Sequence, residues 1–121
     1  MPEQRGARGE GILIVDGVEH RVLFTNRAMA ESERRTGRTI SAAARAAAAG
    51  ELPLNELVMM LVVGLGAARQ AGHGAAVYTP ARAWELMDSA GYMEVMRVVI
   101  SAASDALTWS PDEAEGDDSP N

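Results

Sequence analysis

The chain has only two histidines, His20 and His73, and no cysteine with which to build nucleophilic, general-base or metal chemistry. They lie in different contexts, and neither has a carboxylate at metal-ligand spacing. A histidine without a positioned partner is poorly equipped as a ligand or a base. His20 therefore reads as a hairpin side chain partly covered by its sheet face, and His73, between glycines, as a solvated loop residue. Glu85 and Asp88 stand three apart on one helical segment, a spacing that acid–base pairs use but that the wet face of any amphipathic helix also shows. The glycine phrases GHG and GLG are not phosphate loops: neither follows a strand and opens a helix with the further glycine, and there is no lysine to reach a phosphate. No serine occupies a G-x-S-x-G elbow. The residues thus assemble no catalytic set, no metal site and no cofactor cradle, and the expectation is a protein that is not an enzyme.

Charge narrows the partner classes. All 11 basic residues are arginine, and the net charge of −6 is uneven. The acidic end, SPDEAEGDDSPN, supplies most of it, leaving the body near neutral. Such a chain is a poor candidate for neutralising a phosphate backbone. Arg27, Arg34, Arg35, Arg38 and Arg45 do cluster, against only Glu31 and Glu33 between them. Aromatics that could stack on bases are absent from that stretch, which disfavours nucleic acid and leaves a solvated face or an acidic protein partner.

The elements that must position these residues begin after a leader, residues 1–10, whose glycine, proline and mixed charge predict disorder. That leader lacks the apolar core of an export signal, and a chain without cysteine carries no mark of an oxidising compartment, so the expected location is the cytoplasm. Next, GILIVDGVEHRVLFT reads as two strands around Asp16-Gly17, the dipeptide favoured where both turn positions need positive φ. One face then collects Leu13, Val15, Val18, His20, Val22 and Phe24, with Ile12, Ile14, Glu19, Arg21 and Leu23 on the other. Thr25 or Asn26 caps a helix from about Arg27 to Thr36, closed by Gly37, with Glu31 and Arg35 placed to pair. Ser41 to Ala49 has high helix propensity and almost no side-chain volume. Thr79-Pro80 starts a helix ending near Ala90, with Ala83, Trp84, Met87 and Ala90 on one side. A last helix, about Tyr92 to Leu107, carries an apolar stripe through Val95, Met96, Val99 and Ala103. Residues 110–121 form the acidic tail, expected to be disordered.

Between these lies Pro53 to Gly72, a helix apolar on nearly every side. Its unbroken run from Leu57 to Ala68 is too short for a bilayer, which needs roughly 20 residues, so it reads as a core rod around which the short flanking pieces wrap. Met59, Met60 and Val63 fall on the side that small neighbours would leave uncovered, and with Trp84 they form the expected partner-binding strip, rimmed by Arg34, Arg35 and Arg38. The fold class expected is α+β: a single domain over residues 11–109, an N-terminal β-hairpin followed by four to five short helices.

This order of elements resembles that of the small tail proteins of long-tailed phages and gene transfer agents, the tail assembly chaperones, sometimes named tail tube proteins. The likeness rests on Leu23-Phe24-Thr25 at the end of the hairpin, Ala30-Glu31-Ser32-Glu33 and Gly37 around the first helix, and Val63-Gly64-Leu65 in the middle helix. It covers about residues 11–108; the GHGAAVYTP loop and the alanine-only second helix depart from it. The resemblance implies a non-catalytic assembly factor of the host cytoplasm that coats the tape-measure protein and passes it to tail tube subunits. Two other classes stay open: a structural tail tube or head–tail component of the virion whose hairpins join copies into rings as a homo-oligomer, and a small DNA-binding regulator.

Overall fold

A computed structural model describes residues 9–72 and 78–109. Two strands and five helices follow in chain order: β1 (Glu10–Val15), β2 (Val18–Leu23), α1 (Asn26–Thr36), α2 (Ile40–Ala48), α3 (Leu54–Gln70), α4 (Pro80–Ala90) and α5 (Tyr92–Thr108). This is the α+β domain that the sequence pattern predicts. The expected acidic tail and the His73 loop fall outside the described residues.

The hairpin forms as its turn chemistry dictates. Asp16 (φ 53°) and Gly17 (φ 78°) both take the left-handed region, and Val15 pairs with Val18, Leu13 with His20 and Gly11 with Val22. Leu13, Val15, His20, Val22 and Phe24 are buried on one face. Val18 departs from the expectation: it sits beside the turn, past the reach of the helices, and is exposed. The leader is also shorter than expected, because Glu10 already belongs to β1 and the carbonyl of Gly9 accepts a 2.8 Å hydrogen bond from the amide of Phe24.

Helix ends follow local chemistry. The hydroxyls of Thr25, Thr39 and Thr79 each accept from a backbone amide three residues on, covering an otherwise orphaned donor, and Pro80 occupies the first turn of α4. Gly37, at φ 76°, closes α1. Ile40 adds what the alanines of α2 lack, a bulky side chain that anchors the helix in the core. Leu86, rather than Trp84, joins Ala83 and Met87 on the buried side of α4.

Helix α3 is the centre of the packing, in contact with β2, α1, α4 and α5. Being enclosed on several sides is what an all-round apolar helix requires. Gly64 lets it approach the sheet: a Cβ there would lie 3.0 Å from the Phe24 ring and 3.0 Å from Val22 Cβ. Helix α5 lies against β1 and also touches α2, while α2 is held by α5 and, more lightly, α1. Two long-range hydrogen bonds pin the connections: the Tyr92 hydroxyl donates to the Leu52 carbonyl at 2.8 Å, and Arg38 Nε donates to Glu56 at 2.6 Å.

Candidate interaction surface

The strip expected on α3 does not exist as a continuous surface. Met60 is 1% exposed and Val63 is buried, because β2, α1, α4 and α5 together enclose the helix that sequence reasoning left partly bare. Met59, the neighbouring residue, turns about 100° further round the helix and is 37% exposed. Trp84 is 39% exposed on α4. Of the four apolar residues proposed for the strip, two reach solvent.

The arginine rim is also altered by its neighbours. Arg34 and Arg35 both donate to the carboxylate of Glu31, Arg35 at 2.7 Å, and these two guanidinium groups hold the Glu31 carboxyl down at about 2. Arg38 is engaged with Glu56, whose carboxylate lies in the first turn of α3. These cations stabilise helix surfaces and the α1–α2 connection, and they do not form an unpaired basic patch for phosphates.

A different apolar surface opens between α2 and α5. It is a groove of about 620 Å³, one wall built from Ala44, Ala47 and Ala48 and the other from Met93, Met96 and Ile100. Its origin is in side-chain volume. Alanines at these positions bring α2 close to α5 but cannot cover the longer side chains beside them. Met93 is accordingly 66% exposed, the most exposed large apolar side chain among the described residues. Glu94 and Arg97 pair along the same edge, and Ser101, Ser104 and Asp105 continue it toward the end of α5. The signal was present in the sequence as Met93, Met96 and Ile100 at intervals of three and four, opposite a helix without bulk. The stripe expected on α5, through Val95, Met96, Val99 and Ala103, is the packed one, and it does not include Met93 or Ile100.

The outer face of the hairpin is a second apolar area. Ile12 and Ile14 are exposed there, opposite Arg21 and Glu19, which lie 3.7 Å apart on β2, and the two-stranded sheet has no third strand among the described residues. Ladder geometry turns the free backbone groups of β1 outward at Ile12 and Ile14, the residues whose side chains are also uncovered.

One partly buried polar contact fixes the hairpin to the segment that leads into α4. His20 Nδ1 lies 2.6 Å from the Tyr78 hydroxyl, which donates to it when that nitrogen is bare. Burial, with a smaller push from the Arg82 guanidinium, lowers the His20 pKa and keeps the ring neutral. Burial raises the Tyr78 pKa in turn. Two groups held in their neutral forms at a packed contact constitute a structural tie.

Among the described residues, no three His, Cys, Asp or Glu side chains gather as a metal site would require, and no helix is long and apolar enough to cross a membrane. Compared with protein-family models, with curated proteins and with solved structures, the chain matches none.

Proposed function

We propose that this chain is a non-catalytic binding module of the tail assembly chaperone kind, acting in the host cytoplasm on the tape-measure protein and tail tube subunits. The observation that carries the reading is the α2/α5 groove, an apolar concavity of about 620 Å³ with a methionine standing open at its edge. Monomeric domains rarely leave large apolar areas open without a use, and thioethers adapt to helices of varied sequence. A tape-measure protein is, on the family likeness, a long chain of apolar helices, which is the kind of client such a surface suits. The correspondence of element order to the chaperone pattern supports the same reading.

Co-expression with the genes on either side, followed by pull-down and light scattering of the recovered complex, tests it. Recovery of a long helical partner or a tube subunit is expected, with the chain absent from finished particles. Failure to recover either, with both well folded, would overturn the proposal.

The outer face of the hairpin favours a second reading, a structural component whose copies join through Ile12 and Ile14. Its distinguishing outcome is a ring in solution and retention of the chain in mature particles.

A further inference from the structure

Resting on the binding-module reading, we infer that the α2/α5 groove receives one amphipathic helix, lying antiparallel to α5, with an arginine or lysine in its first turn set against Asp105. Three features of the groove lead to this occupant.

The first is shape. From Met93 to Asp105 the wall follows one face of α5 for about 18 Å, or about three turns, at a rise of about 1.5 Å per residue. The opposing wall uses Ala44, Ala47 and Ala48, positions one helical turn apart on one face. Two helix walls of this spacing make a seam into which a third helix lays an i, i+3, i+7 row of side chains. An extended strand finds no free backbone edge here, because both walls have their amides and carbonyls bonded within helices.

The second is apolar chemistry. Met93, Met96 and Ile100 are the large apolar side chains of the α5 wall, so the row facing them must be leucine-like.

The third is charge. Glu94 is matched by Arg97 on the same helix. Asp105 has no ion pair among the described residues, and it stands in the last turn of α5, which contains no basic residue. A helix C-terminus is already the negative end of the dipole, so among the described residues no cation offsets the negative charge at this end of the groove. An antiparallel helix brings its positive N-terminus to that point, and a basic side chain there completes the match. The residues that follow α5 in this chain are acidic and without an apolar row, so their charge and composition do not suit the position.

The probe is a capped, alanine-rich helical peptide of about sixteen residues, long enough to span the seam, with a leucine row on one face and an arginine in its first turn. It is titrated calorimetrically into the full chain and into Met93→Glu, Ala48→Glu and Asp105→Arg. Met93 and Ala48 are exposed, so these changes leave the core intact, and thermal melting verifies it. Saturable binding to the unaltered chain is expected, weakened about tenfold or more by either glutamate. Asp105→Arg is expected to weaken the arginine peptide and to improve binding of a peptide carrying glutamate in its place. No binding by the unaltered chain, or binding that all three substitutions leave unchanged, would overturn the assignment. So would dissociation of a dimer of this chain by Met93→Glu, which would make the occupant a second copy. The same variants in the co-expression pull-down separate the two proposals. Undiminished recovery of a tail partner by Met93→Glu and Ala48→Glu removes the groove and leaves the chaperone reading standing. Loss of tail-partner recovery by the unaltered chain, with peptide binding intact, removes the chaperone reading and leaves the groove.

Discussion

Helices α3 and α5 are both 17 residues long, and each carries two methionines close in sequence, Met59 and Met60 on one, Met93 and Met96 on the other. The more apolar of the two is the better covered. Helix α3 is enclosed by β2, α1, α4 and α5, so Met60 is lost to the core. Helix α5 has the ordinary pattern of an amphipathic helix, yet its neighbour α2 offers only alanines at the contact, and Met93 remains open. What leaves a surface uncovered is therefore the volume of the residues opposite, more than the apolarity of the helix itself.

Truncating each methionine should separate the two settings most widely. Met60→Ala is expected to cost about 2–5 kcal/mol, the range for emptying a packed site, while Met93→Ala should stay within about 0.5 kcal/mol. Chemical denaturation of both variants checks this, and similar losses would mean that Met93 is packed. The two inner glycines of α3 sharpen the same contrast within one helix. Gly64→Ala must push on Phe24 and Val22 and should destabilise by about 1–3 kcal/mol. Gly66 has open space where a Cβ would go, so Gly66→Ala should stabilise by up to about 1 kcal/mol through helix propensity. Midpoints of urea unfolding give both signs.

Further from α3, the tie between β2 and Tyr78, just before α4, should respond to pH. The folded state holds the His20 pKa below its ordinary value, so between about 6.5 and that lowered value the unfolded chain binds the extra proton. Stability contributed by this site is complete above pH 6.5 and falls as the pH drops through that window. Tyr78→Phe, which removes the hydroxyl from Nδ1, should cost about 1–2 kcal/mol at neutral pH. A stability curve that rises on acidification from pH 7 to 6 would contradict the buried neutral histidine. A small effect is also expected from Glu56→Gln, which weakens the partly exposed pair with Arg38 and should be muted by salt.

Local chemistry was legible in the sequence. Asp16-Gly17 set the hairpin and its register, Thr25 and Thr79 set helix starts, and Gly37 set a helix end, because each acts within a few residues of itself. The Glu31–Arg35 pair was legible for the same reason, though Arg34 shares that carboxylate. Non-local cover was not. Whether Met60 or Val63 meets solvent depends on β2 and on α1, α4 and α5, elements that no window around α3 contains. The groove was missed by the complementary error. Ala44, Ala47 and Ala48 announced a thin helix, and Met93, Met96 and Ile100 a bulky stripe, but only packing shows that they face each other.

Methyl NMR with ¹³C-labelled methionines distinguishes the α5 groove from α3 as the binding surface, since one spectrum reports on both helices. The leucine-row peptide with its first-turn arginine is added to the full chain, and the shifts are followed to saturation. The Met93 and Met96 methyls are expected to move, with Met59 and Met60 staying near their free positions. Movement at Met59 with Met93 and Met96 unchanged would place binding on α3 and contradict the groove assignment.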